Sequence, residues 1–346
     1  MKYALAFIGI IAGTLLTIAM MLSWERPPMA SNQIGPRGVG MVEINNPRME
    51  AKLQKANVAP EADPPAEVSG VKAKDNEEWK NIQVLGELDV NEFNRLMGAI
   101  TTWVAPEQGC LYCHKADDQG NVNWADDSLY TKVVARRMLQ MTREINTKWT
   151  SHVEQTGVTC YTCHRGNPVP ANIWFKNEGS PQAAGMASSR QGQNLASKVV
   201  GTTSLTYDPF TPLLAKDANI RVNATTALPE GTTNASIHDT ETTFALMMHF
   251  STALGVNCTY CHNSRQFASW AESRPQRVTA WHGIRMVSEV NETYITSLQE
   301  VFPKNRLGPL GDVAKVNCAT CHQGVYKPLY GAAMVKDYEE LRQPNP

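Results

Sequence analysis

No cysteine is spare in this chain. All eight lie in four short stretches, so a separate disulfide framework is excluded. A lipid-bearing N-terminal cysteine is excluded too, because none stands near Met1. Aromatic residues are few: eight Phe and eight Trp in 346 residues are modest for a core of this size. Charge of either sign is balanced to a net −1, so no basic excess points to nucleic acid and charge alone names no partner. A convincing strand pattern is missing throughout, which leaves helices and irregular connections to build the fold.

The cysteines that are present carry the chemistry. Cys110-Leu111-Tyr112-Cys113-His114, Cys160-Tyr161-Thr162-Cys163-His164, Cys258-Thr259-Tyr260-Cys261-His262 and Cys318-Ala319-Thr320-Cys321-His322 are four copies of C-x-x-C-H, the signature of c-type haem attachment. The spacing puts two thiols one short turn apart, where they add across the haem vinyl groups. The histidine that follows then lies under the iron as its proximal ligand. Paired Cys₄ zinc sites would leave the histidine after every pair unexplained. Four covalently bound haem c groups are therefore expected, and they would supply much of the apolar volume that the aromatics do not. Haem c is attached outside the bacterial cytoplasm, so the folded part is expected in the periplasm.

Taken in order, Tyr3 to Trp24 is an uncharged apolar run, long enough to cross a bilayer as a helix. Lys2 precedes it and favours a cytoplasmic N-terminus. Glu25-Arg26-Pro27-Pro28 occupies the place of a cleavage site, so residues 1–24 are expected to remain as a transmembrane anchor. Residues 25–85, with Pro60-Glu61-Ala62-Asp63-Pro64-Pro65, read as an extended linker: either a disordered tether or an arm laid over a partner protein. Asp89 is a plausible cap for a helix carrying Phe93, Met97, Ile100 and Val104. A second helix follows Asp126-Asp127-Ser128, with Tyr130, Val134, Met138, Met141 and Ile145 on one face. Residues 166–236 form a long, mostly irregular connection with one short helix at Gln191–Val199. Asp239 is expected to cap a third helix, and a fourth runs from about Arg277 to Leu298.

The proximal histidines reveal a repeat. His114 and His164 are 50 residues apart, His262 and His322 are 60 apart, and the pairs are separated by 98. The expected fold is mainly α: a multihaem cytochrome with two pseudo-equivalent helix–loop–C-x-x-C-H halves, at 86–165 and 237–325. The 166–236 connection joins them, and 326–346 is a C-terminal tail.

The sixth iron ligand decides between electron transfer and substrate chemistry. Thioether favours Fe(II) and raises the potential; a second imidazole lowers it. Met97 and Met247 lie on helices just upstream of the first and third motifs, and Met138 lies upstream of the second. Met141 and Met248 are rivals, and each of these methionines also fits an ordinary apolar helix face. For the fourth site Met286 is available, as are the histidines outside the motifs: His152, His238, His249 and His282. Arg136, Arg137, Arg143, Arg277 and Arg285 are candidates to pair haem propionates.

These residues resemble the tetrahaem cytochrome subunit of purple-bacterial photosynthetic reaction centres. The likeness covers almost the whole chain. It rests on the paired motifs and upstream methionines, on Gly35-Pro36-Arg37-Gly38-Val39-Gly40-Met41 with Asn46-Pro47-Arg48, on Trp281-His282-Gly283-Ile284-Arg285-Met286, and on Cys321-His322-Gln323-Gly324-Val325 with Lys327-Pro328-Leu329. The resemblance implies Met/His ligation at three sites through Met97, Met138 and Met247, and bis-His ligation at the fourth, His152 crossing to His322. It demotes His238, His249 and His282 to structural or surface roles. It implies a row of haems in the order one, two, four, three, the third nearest the bacteriochlorophyll special pair and the first facing the donor. The partners implied are the reaction-centre core subunits and a soluble periplasmic donor, such as a small c-type cytochrome or an iron–sulfur protein. Many members are tethered by a lipidated cysteine, which this chain does not have. The expected role is electron transfer without substrate turnover, in the photosynthetic inner membrane. A membrane-anchored tetrahaem quinol dehydrogenase is the rival reading, and a multihaem reductase with an open iron is a second.

Overall fold

A computed structural model of the chain describes residues 2–23, 29–35, 40–77, 79–177, 199, 205–206, 208–222 and 235–345. The helix expected at Gln191–Val199 falls outside the described residues apart from its last one. Helix α1, Lys2–Ser23, is uncharged and mostly apolar after Lys2. Its 22 residues span about 33 Å, enough for a bilayer core. Leu5, Phe7, Ile10 and Leu16 are all exposed, so none of the described residues covers the helix.

Where it is described, the segment expected as a linker carries regular structure and lies on the domain itself. Strands β1 (Ala30–Gln33) and β2 (Val42–Asn45) pair antiparallel. Helix α2, Pro47–Ala56, follows at once. Asn46 caps it by accepting from the N–H of Arg48 and Met49, and Pro47 sits where its missing N–H costs nothing. Beyond it Asn57 is buried, and Ala59 and Ala62 pack on the first core. Sequence pattern could not show this, because the partners are not neighbours in the chain: Arg95 donates to Asp63 O, and Arg165 to Asn57 Oδ1.

Helix α3, Val90–Val104, begins at Asp89 as expected, with the Asp89 carboxylate accepting from Asn91 N–H. A two-residue ladder, β3 (Lys115–Ala116) with β4 (Val122–Asn123), follows the first motif. Next come α4 (Tyr130–Lys148), α5 (Thr150–Val153) and α6 (Cys160–His164). The short α7 (Phe210–Leu214) ends the long connection. Helix α8, Ile237–Leu254, is capped by Ser236, and Asp239 reciprocates from the third helical position instead of being the cap itself. Helix α9, Gln276–Glu289, runs on through a π turn, Val290–Ile295, and a 3₁₀ turn, Thr296–Leu298. The fourth expected helix is thus one continuous path with a change of pitch. The last helix is α10, Cys318–His322.

Two cores hold these elements. Leu85, Leu96, Trp103, Leu139, Tyr338 and Leu341 belong to the first; Ile145, Phe210, Leu214, Leu246, Ile284 and Val287 belong to the second. Helix α4 spans both, through Leu139 and Ile145. The segment expected as a tail after 325 is core: Leu329, Val335, Tyr338 and Leu341 return from the second half to close the first.

Arg143 is fully buried at this closure. It donates to the Glu340 carbonyl oxygen at 3.0 Å and pairs with Glu87. Burial raises the Glu340 carboxyl from 4.5 to about 7. The folded state therefore holds this proton while the unfolded chain has released it, and stability falls as pH rises from about 4.5 to about 7. Glu340→Gln should recover about 2 kcal/mol of unfolding free energy at pH 8 and much less at pH 5. Denaturant melts of the haem-loaded protein at the two pH values check this; equal effects at both would be the contrary result.

Candidate haem sites

The four motifs fold in two ways, and the two ways alternate. Motifs one and three are 3₁₀ turns, Gly109–Tyr112 and Cys258–Tyr260. In each, the histidine N–H donates to the carbonyl of the first cysteine at 3.0 Å. Motifs two and four are the helices α6 and α10. Their entries are pinned alike: the Thr162 and Thr320 hydroxyls accept from the N–H of Thr159 and Asn317 at 2.9 and 3.0 Å. Both helices end in a left-handed residue, Arg165 and Gln323, each at φ 50°. A glycine follows each and ties back to the helix ahead of the other motif in its half: Gly166 N–H donates to Trp103 O of α3, and Gly324 N–H to Ala253 O of α8, both at 2.8 Å. The internal repeat is thus visible in three dimensions in these paired turns and bonds.

The motifs also touch in a definite order. The first two are linked through α3, the helix that leads into the first motif, by the Gly166–Trp103 bond. The second and fourth meet at Cys163 and Cys321, whose Sγ atoms lie 2.6 Å apart. The fourth and third meet through Gly324–Ala253 and through Tyr260 and Tyr326, whose ring centres are 6.0 Å apart. Contact therefore runs one, two, four, three.

Three proximal histidines have a fixed tautomer. Nδ1 of His164 donates to Asn167 O at 2.8 Å, of His262 to Phe267 O at 3.0 Å, and of His322 to Val325 O at 3.0 Å. Each bond leaves Nε2 free for a metal and makes the ring a better donor. His114 differs: its Nδ1 is buried without a partner, and its ring meets Trp124 edge-on at 4.9 Å. Burial lowers the affinity of all four rings for a proton, taking His322 down to about 4. Neutral imidazole is the form a metal ligand requires.

His152 and His322 supply the test of fit for a bound group. Two imidazoles sharing one metal, each at a bond of about 2 Å, hold their ring centres roughly 6 Å apart. The observed separation is 6.1 Å, with the ring planes at 62°. His152 Nδ1 donates to Thr279 O at 2.9 Å, so its Nε2 is the free nitrogen. These two residues, far apart in sequence, fit an iron between them. Among the described residues no three His, Cys, Asp or Glu side chains converge as a cage for a metal ion, so the motifs do not gather into a Cys₄ site.

The methionines separate in part. Met97 is half-buried against the first core, and Met138 and Met141 both lie against the second. Met247 is half-buried and Met248 is exposed. Met286 is buried in the second core among apolar side chains. His238 is exposed beside Glu241, and His282 stacks edge-on against Trp281. His249 is unlike them: it is buried against Phe210, with Nε2 unpartnered.

The arginines also sort themselves. Arg285 is in an exposed pair with Asp217 at 2.8 Å, and Arg136 pairs with Asp127. Arg277 donates to the carbonyls of Phe267 and Ser269 beside the third motif, and Arg137 to Thr293 O. A buried guanidinium nitrogen without a protein partner, which leaves a donor open to a water or an anion, occurs at Arg143, Arg165 and Arg274. Arg165 and Arg274 were missed by sequence reasoning. Arg165 stands directly after a motif histidine, a position that could have drawn notice.

Repeated C-x-x-C-H turns, with the motif histidines tautomer-locked at three of the four, are the features of a c-type cytochrome. Residues 25–342 match the family described as the photosynthetic reaction centre cytochrome C subunit. The photosynthetic reaction center cytochrome c subunit of Rubrivivax gelatinosus is 56% identical over 324 residues, covering 94% of this chain and 86% of that one. That of Thermochromatium tepidum is 49% identical over 322 residues, covering 93% and 77%, and that of Roseobacter denitrificans is 41% identical over 352 residues, covering 96% and 91%. The chain belongs to the photosynthetic reaction-centre cytochrome c subunit family. It carries covalently bound haem c, associates with the reaction centre at the photosynthetic membrane, and serves electron transfer; it is not an enzyme.

Proposed function

We propose that the chain holds four haem c groups and passes single electrons from a soluble periplasmic donor to the photo-oxidised bacteriochlorophyll pair of the core subunits. Bound haem supplies a one-electron Fe(III)/Fe(II) couple; the protein sets its potential and position. Cys110 and Cys113, Cys160 and Cys163, Cys258 and Cys261, and Cys318 and Cys321 form the thioethers. His114, His164, His262 and His322 are the proximal ligands. Met97, Met138 and Met247 cap the first three sites, and His152 caps the fourth. With both axial positions filled, no site is open to a substrate, which separates this reading from a reductase. Thioether caps at three sites separate it from a bis-His quinol dehydrogenase. The two haem-pair halves are 86–165 and 237–325.

The observation that carries the direction is the hydrogen bond from Asn257 Nδ2 to Val42 O, at 2.7 Å. It fastens the hairpin that follows α1 to the third motif. We read α1 as a retained anchor with its N-terminus in the cytoplasm and the haem domain in the periplasm. The third site then stands at the membrane end and the first at the donor end.

Intact mass of the mature protein tests the haem number and the anchor together. The expected mass is the full chain, with or without Met1, plus four haems after acid–acetone extraction. A loss of even one haem, or a mature terminus beyond Trp24, would contradict the corresponding claim.

A further inference from the structure

Gly283 lies inside α9, where glycine is a poor helix former and needs another reason to be present. The structure supplies one. A Cβ at Gly283 would stand 2.5 Å from Cε1, 2.8 Å from Nδ1 and 3.1 Å from Nε2 of His152. The imidazole therefore lies directly on the bare backbone of α9. One turn earlier on the same helix, Thr279 O accepts from Nδ1 of that ring at 2.9 Å. Together the two contacts fix the position and tautomer of the ring, and Nε2 is left as the nitrogen without a hydrogen.

We infer that Gly283 and the Thr279 carbonyl are the positioning elements that present His152 to the fourth site. This rests on the reading of His152 as the ligand opposite His322. The ring is rigid and cannot bend away from a methyl group as a lysine tip would. Moving it by the ångström a Cβ demands breaks the Thr279 bond, turns Nε2 off the axis towards His322, or both. The 6.1 Å separation of the His152 and His322 rings is then lost. Gly283 is thus a specificity element: it admits a flat imidazole at a place where any side chain on α9 would push it out.

The test uses the haem-loaded protein with Gly283→Ala, His152→Met and the double variant. Low-temperature EPR and a redox titration are read for each. Gly283→Ala is expected to abolish the bis-imidazole low-spin signal from one site per chain. It should also shift upward the same titration component that His152→Met shifts, leaving the others in place. In the double variant, alanine should add nothing to the effect of His152→Met, because the flexible thioether has no ring to displace. Gly98→Ala, a helix glycine whose Cβ would meet nothing within 4 Å, is the control. An unchanged EPR signal and potential in Gly283→Ala overturns the inference. If Gly283→Ala fails to mature but the double variant matures, the clash with His152 is confirmed by its relief. If both fail, the glycine serves helix packing and the inference is wrong. If His152→Met by itself shifts nothing, the ligand reading fails, and that result is separate from any result with alanine.

Discussion

His152→Met is expected to raise the potential of one haem by on the order of 100 mV, well inside the range of about 0.8 V that axial ligands command. Imidazole donates more strongly to Fe(III); thioether is soft and favours Fe(II), so the exchange stabilises the reduced state. Methionine has the length and rotational freedom to reach from the same Cα. The change should be confined to the site of Cys318, Cys321 and His322. His152 sits on α5, directly ahead of the second motif, yet its ring faces His322 across 6.1 Å. Sequence proximity alone would have assigned it to His164. A redox titration followed at the haem α-bands, with each component assigned by EPR, separates the two possibilities. A shift in the component belonging to His164 would break the cross-over assignment. His249→Leu is the second arm. That ring is also buried near the fourth site, with an unpartnered Nε2. If its removal, and not that of His152, carries the large shift, the two histidines have exchanged roles.

What was legible in the sequence is what local rules govern. The eight cysteines and four proximal histidines announce themselves because haem attachment needs them in one short turn. Helix α3 is legible from Asp89 and its apolar stripe, and α4 from its 4-4-3-4 spacing. The capping of α8 was misplaced by three residues because Ser236 and Asp239 form a reciprocal pair, in which either residue looks like the cap. Other features depend on distant partners. Asn46 and Pro47 do signal a helix start, but α2 has only Met49 and Leu53 to mark an apolar face, so it passed for linker. The 326–346 segment has no periodicity, since Leu329, Val335, Tyr338 and Leu341 reach the first core from a series of short turns. Gly283 is the extreme case: its meaning is a contact with a ring 131 positions earlier in the chain.

Met247→His is expected to slow or reshape the fastest phase of pigment re-reduction after a flash, while Met97→His should leave that phase almost untouched. The reason lies in α1, which the proposed reading takes as the anchor. Ala30 is seven residues past the end of α1, so at about 3.5 Å per residue it lies within about 25 Å of Ser23. Ala30 pairs with Asn45, and three residues along β2 the Val42 carbonyl accepts from Asn257. Asn257 directly precedes Cys258, so the third motif is bound to the membrane-proximal segment by a short covalent and hydrogen-bonded path. The order of contact among motifs, one to two to four to three, then puts the first motif at the opposite end. Rigidity favours the third site as well. Helix α8 ends at Gly255, whose φ of 65° lets the chain reverse, and a Cβ there would meet Gly324 O at 2.2 Å. The helix carrying Met247, the third motif and the fourth motif are thereby locked together, which keeps reorganisation small when the charge changes. A histidine in place of Met247 lowers the potential of the third site. The driving force to the pigment cation changes with it, and electrons arriving from the fourth site meet a step that is less favourable. Flash-induced absorbance changes in membranes, recorded with and without a soluble donor, separate the two variants. Met97→His should instead alter the slower recovery that depends on donor concentration. If the dependence is reversed, so that Met97→His perturbs the fast phase and Met247→His the donor-dependent one, electrons leave by the first site, and the hairpin at the third motif faces away from the pigment.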